Sequence, residues 1–154
     1  MRNSLWFRAP LAVFVLAAAT LLPVSSRAGE YVVVGQAGNS YAGAPDATRQ
    51  LLARLFLKQL TAWPNGAAAK VYAAPSGSPE MTAFRDKVLT MNEAALASHW
   101  LTLKQKTGET PPREVGSSSI MGKLIAQAPG AIGIMKKADF AAAPGNLKVL
   151  LEID

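Results

Sequence analysis

The chain has 154 residues, with sixteen Lys and Arg against ten Asp and Glu, one histidine, no cysteine and a formal net charge of +6. The missing cysteine excludes a disulfide framework, a thiolate metal centre and a lipid-modified cysteine, so the fold is expected to hold by packing alone. Basic residues form no run beyond Lys136-Lys137 and do not alternate with aromatic ones, which argues against a nucleic-acid surface.

Residues 1–28 have the pattern of a secretory signal. Arg2 and Arg8 flank a polar start, Leu11 to Val24 is apolar apart from Thr20 and Pro23, and Ser26-Arg27-Ala28 places small residues where a signal peptidase reads. The apolar run is short for a span of about 20 residues, and Pro23 favours cleavage over anchoring, with an uncleaved anchor as the alternative. Cutting after Ala28 removes Arg2, Arg8 and Arg27 and no acidic residue, so residues 29–154 would carry a net charge of +3. That length suits one domain with a real core, expected to be free in the periplasm and not a lipoprotein.

Short β-type runs then alternate with helical periods. Tyr31 to Val34 is a β-branched run ended by Gly35 and predicts a buried strand. Asp46 is expected to cap a helix with Leu51, Leu52, Leu55, Phe56 and Leu60 on one face, ended by Trp63-Pro64-Asn65-Gly66. Lys70 to Ala73 is a second strand. Ser78 as N-cap, Pro79 at the first helical position and Glu80 in the first turn specify the next helix start.

Thr90 and Glu93 have capping-box spacing, and Leu96, Trp100 and Leu103 share a face until Gly108. Gly108 to Gly116, with Pro111-Pro112, is expected to be a loop. The three serines after it can cap a helix with Ile120, Leu124, Ile125 and Ala128 inward, stopped by Pro129-Gly130. Ala131 to Met135 is a third strand, Pro144-Gly145-Asn146 a turn, and Leu147 to Ile153 a fourth strand with Leu147, Val149, Leu151 and Ile153 on one face. The expected fold class is α/β, a small sheet within one domain.

Phe56 to Gly66, ending in Trp63-Pro64-Asn65-Gly66, together with Pro129-Gly130-Ala131-Ile132-Gly133, resembles the pattern in one lobe of the phosphate-binding proteins that serve ABC transporters, and in their single-lobe relatives. Phe84, Trp100 and the loop Gly108 to Pro112 fit the same pattern, so the resemblance covers Tyr31 to Ile153. It implies a three-layer α/β/α sandwich with a small mixed sheet, one lobe of a type 2 periplasmic binding protein. Two-lobed members close on a ligand like a clamp. This chain has room for one lobe, which implies a second subunit, transporter or sensor as the partner that completes the cleft.

The candidate oxyanion site is Ser76-Gly77-Ser78, where unpaired N–H groups at a helix start and a glycine permit close approach of an anion. Full-length relatives use a Ser-Gly-Thr-like turn here, preceded by an arginine and an aspartate. In this chain Pro79 stands where that threonine would be, and Tyr72 to Pro75 supply neither charged residue. A second candidate is Ser117-Ser118-Ser119 with Arg113. Simple helix capping is the competing reading of both. Gln36 to Ser40 is a further candidate, as the loop after a strand, against an ordinary surface loop.

Enzymatic readings lack partners, because His99, the single histidine, sits beside Trp100 with no cysteine or identifiable carboxylate near it in sequence. No cofactor and no catalytic residue is expected. Two functions follow: a periplasmic solute-binding-like protein for phosphate or a related oxyanion, working with an ABC transporter or sensor; and a non-transport envelope interaction module that has lost ligand binding.

Overall fold

The computed structural model describes residues 29–154, so the signal-peptide reading lies outside the described residues. Five strands and five helices follow in the order β1 (Tyr31–Gln36), α1 (Pro45–Phe56), β2 (Lys70–Ala73), α2 (Pro79–Phe84), α3 (Glu93–Thr107), β3 (Arg113–Glu114), α4 (Ser118–Ala126), β4 (Ala131–Lys136), α5 (Lys137–Ala141) and β5 (Leu147–Ile153). A π-helical turn, Arg85–Leu89, continues α2.

The strands form one mixed sheet in the order β3-β2-β4-β1-β5. β2 runs parallel to both β3 and β4, whereas β1 is antiparallel to β4 and β5. Alternation along the central strands sends side chains to two apolar layers. Val33, Ile132 and Ile134 pack with Leu52, Leu55, Phe56, Met81, Phe84 and Val88 from α1, α2 and the π-helical turn. Val32, Val34 and Met135 pack on the other face with Met121 and Ile125 from α4, with Phe140 of α5 at the edge. The architecture is therefore the expected α/β/α sandwich.

β5 departs from the expected single-face strand. The register slips between Val33, which pairs with Leu151, and Val34, which pairs with Val149, so Leu150 is an extra residue. A bulge of this kind reverses the alternation. Leu151 and Ile153 join the layer of α1, Leu147 joins that of α4, and Val149 is left partly exposed. Leu150 folds over Gly35, where an added Cβ would lie 2.8 Å from Leu150 Cδ1.

Other local expectations also change. Asp46 is not the cap of α1: Ala44 holds that position and Pro45 the first turn, while Asp46 pairs with Arg49 at 3.0 Å. The Thr90–Glu93 capping box does not form, because Thr90 is left-handed at φ 51° at the end of the π-helical turn and Asn92 Oδ1 accepts from the Ala95 N–H at 2.8 Å instead. Ile120 points outward, at 54% exposure, and Met121 takes the core position beside Ile125. Within the expected loop, Arg113 and Glu114 pair with Tyr72 and Ala73 as a short edge strand.

The two stretches that carry the family resemblance meet in space. Trp63 is 2% exposed, and its Nε1–H donates to the Gly130 carbonyl at 2.9 Å, which also accepts from Lys70 N at 3.1 Å. Gly130 has φ +78°, and a Cβ there would lie 2.2 Å from the Ala68 carbonyl oxygen. This junction holds the amino ends of β2 and β4 together.

Candidate functional site

The parallel trio β3-β2-β4 places the turns after β2 and β3 at one end of the sheet. From β2 the chain leaves through Ser76-Gly77-Ser78 into α2 on one face; from β3 it leaves through Gly116-Ser117 into α4 on the other. Adjacent parallel strands whose helices depart to opposite faces leave a crevice at their carboxyl ends, the usual ligand position in α/β sheets. The two turns approach each other there: a Cβ on Gly116 would lie 3.9 Å from Pro75 Cγ.

Each predicted residue already has a partner or faces solvent. Ser76 gives both its N–H, at 3.1 Å, and its hydroxyl, at 2.6 Å, to Glu114 Oε1. The turn thus holds an anion, but a carboxylate of its own chain. Gly77 takes φ +86° with open space where a Cβ would be. Ser78 is the N-cap of α2 and accepts from the Met81 N–H at 3.2 Å; Ser117 caps α4 and accepts from Ile120 N at 3.4 Å. Ser118 donates to Asp139 Oδ2 at 2.6 Å, and Ser119 is exposed.

Arg113 does not join Ser76. It pairs in register with Tyr72 and Glu114 with Ala73, and Tyr72 and Ala73 belong to opposite apolar layers, so successive residues of β3 are aimed to opposite faces. Arg113 is exposed on the side of α4, without an ion-pair partner among the described residues. Glu114 is not among the anion-binding candidates read from the sequence, where with Asp86 and Glu109 it reads as a solvated surface charge rather than part of an acid/base pair. No local pattern marks it, since its contact with Ser76 spans 38 residues.

The loop Gln36 to Ser40 sits at the other end of the sheet, because β1 is antiparallel to β4 and its carboxyl end lies beside the amino ends of β2 and β4. There Lys148 Nζ donates to the Asn39 and Tyr41 carbonyls, which fastens the loop to β5. At the candidate end, desolvation and then the Glu30 and Glu80 carboxylates push the Tyr31 phenol above its usual range.

A cleft of about 270 Å³ opens beside Ser76 and Gly77, between the body of the domain and α3. Phe56, Met81, Leu96 and Trp100 form apolar walls, and Arg85, Glu93 and Glu114 supply the charge. Arg85 is held away from the Ser76 turn by two carboxylates: its Nε lies 3.0 Å from Asp86 Oδ1 and its Nη1 3.8 Å from Glu93 Oε2. α3 closes the cleft loosely. None of its residues is fully buried, and it is tied down by His99 Nε2 at 3.0 Å from the Leu57 carbonyl, by Trp100 edge-on to Phe56 and by the Lys58–Glu109 ion pair at 2.7 Å. His99 thus has a structural partner.

No protein-family model and no curated protein matches the sequence. Among solved structures, the chain is similar to an ABC-type phosphate transport receptor from Vibrio cholerae, with TM-score 0.57, 16% identity and coverage of 79% of this chain and 45% of that one. It is also similar to a phosphate ABC transporter substrate-binding protein from Clostridium perfringens with bound phosphate, at TM-score 0.58 and 14% identity over 79% and 44% of the chains. PstS from Borrelia burgdorferi aligns at TM-score 0.59 and 11% identity over 80% and 47%. The chain spans less than half the length of these structures and has a solute-binding-like fold of their kind. Among the described residues no helix is long and apolar enough to cross a membrane.

Proposed function

We propose that this chain is a solute-binding-like lobe of the cell envelope, which takes phosphate or a related oxyanion together with a partner that completes its cleft. An ABC transporter, a sensor or a second subunit would be that partner. The observation that carries the reading is the Ser76 turn: an N–H and a hydroxyl converge on one carboxylate oxygen, so the donors suit an oxyanion. The similarity to phosphate-transport proteins supports the ligand class.

Glu114 makes free capture weak. An incoming anion must displace it, against its charge, on an open face where water screens each bond. We expect a phosphate dissociation constant no tighter than about 0.1 mM for the chain alone. The same contact, with Ser78 and Ser117 each occupied as a cap, supports a second reading: an envelope interaction module that binds no free anion.

Calorimetric titration with phosphate and sulfate separates them. Glu114→Ala frees both Ser76 donors and removes the competing charge, so under the oxyanion reading phosphate affinity rises about tenfold. No binding to either protein leaves the interaction module. Micromolar binding by the unaltered chain would show that Glu114 does not compete.

A further inference from the structure

The cleft beside the Ser76 turn has features an oxyanion does not use. Its walls are apolar and include the half-buried indole of Trp100, and its one cationic group, Arg85, is engaged by Asp86 and Glu93. Glu114 receives only the neutral donors of Ser76 and has no ion-pair partner among the described residues. The uncompensated charge facing this apolar space is therefore negative, although the protein as a whole is basic.

Size narrows the occupant. A volume of about 270 Å³ falls just under the roughly 300–1,000 Å³ of pockets for drug-sized ligands. The cleft is open to solvent on one side, so its volume suits a small ligand whose apolar body, one ring or a short chain, lies inside while a polar end stays at the mouth. We propose that this cleft binds a small aromatic or aliphatic primary amine, its apolar body against Trp100 and Met81 and its ammonium group on Glu114. The site adjoins the Ser76 turn, shares Glu114 with it and selects the charge opposite to that of an oxyanion.

The pair 2-phenylethylamine and phenylacetate tests this, since both carry the same ring and differ in the sign of the charge. Calorimetry on the full chain should give a dissociation constant of about 1 mM or tighter for the amine, and phenylacetate should bind at least about tenfold more weakly. Glu114→Gln should weaken the amine about fivefold or more, and Trp100→Ala should abolish its binding. Equal affinity for the two ligands, no amine binding at about 10 mM, or full affinity in Glu114→Gln overturns the proposal. Should either variant melt early, salt replaces it on the unaltered chain: rising ionic strength must weaken 2-phenylethylamine while sparing neutral benzyl alcohol, and a salt-independent amine overturns the site. Phosphate is read separately, because loss of the Glu114 charge is expected to strengthen phosphate and weaken the amine.

Discussion

Gly130→Ala should be far more damaging than Gly66→Ala, although both glycines are left-handed, at φ +78° and +83°. The left-handed conformation costs a residue with a Cβ about 1–2 kcal/mol, and both variants incur it. At Gly66 nothing lies within 4 Å of the added Cβ. At Gly130 the Cβ would lie 2.2 Å from the Ala68 carbonyl oxygen, a backbone atom fixed at the start of β2, and 3.4 Å from Trp63 Cδ1. Relief requires moving the Lys70–Gly130 and Trp63–Gly130 hydrogen bonds, so an overpacking cost of about 1–3 kcal/mol adds to the strain. The totals are about 1–2 kcal/mol for Gly66→Ala and about 2–5 kcal/mol for Gly130→Ala, the latter a large part of the roughly 5–15 kcal/mol that holds a domain folded. At about 4 °C per kcal/mol for this size, melting temperatures should fall by about 4–8 °C and about 8–20 °C respectively. Thermal and urea unfolding of the two variants measures this. Equal losses would show that the Trp63–Gly130 junction yields freely and that its role in joining β2 to β4 is misassigned.

Two further outcomes follow from the caps and from α3. Ser78→Ala should cost about 0.5–2 kcal/mol in urea unfolding, and Ser117→Ala less, because the Ser117 cap bond is longer, 3.4 Å against 3.2 Å; the reverse order would contradict the cap geometry. Amide hydrogen exchange should be faster across Glu93–Thr107 than across α1 and α4, which bury Leu52, Leu55, Met121 and Ile125 where α3 buries no residue fully. Equal protection in the three helices would mean that α3 packs more tightly than its exposure indicates.

Much of the fold was legible because local and tertiary signals agree. Val32 to Val34, Ala131 to Met135 and the Ser78-Pro79 start behave as their residue types dictate. Misplaced positions are those decided by long-range pairing. Nothing within Leu147 to Ile153 announces that Leu150 will be the extra residue against β1, so strict alternation put Leu147 and Leu151 on one face. Strand direction is equally silent in sequence, and the antiparallel β1 carries Gln36 to Ser40 away from the Ser76 turn. Asp46 and Thr90 are good capping residues displaced by neighbours, Pro45 pre-setting the first turn of α1 and Asn92 supplying a carbonyl oxygen at the right position for α3. The α5 turn and the π-helical turn carry no periodicity long enough to register. Ser76 is a candidate anion donor in the sequence beside the capping reading, whereas Glu114, the carboxylate it meets, belongs to a strand that exists only because β2 is there to pair with it.

The Trp63–Gly130 junction, which joins the two main stretches of the resemblance, and the candidate ligand positions lie at opposite ends of the sheet. Trp63 and Gly130 close the amino ends of β2 and β4, and that junction specifies how the parallel strands are set, whatever is bound. Ser76, Glu114 and the Trp100 cleft stand at the carboxyl ends, where α2 and α4 leave to opposite faces. Substitutions there need not disturb the junction, since Ser76 and Glu114 are exposed and bonded to each other rather than to the core. The junction that sets the parallel strands can therefore stay the same while the residues at the crevice vary. In this protein the crevice holds the carboxylate Glu114, which has no ion-pair partner among the described residues.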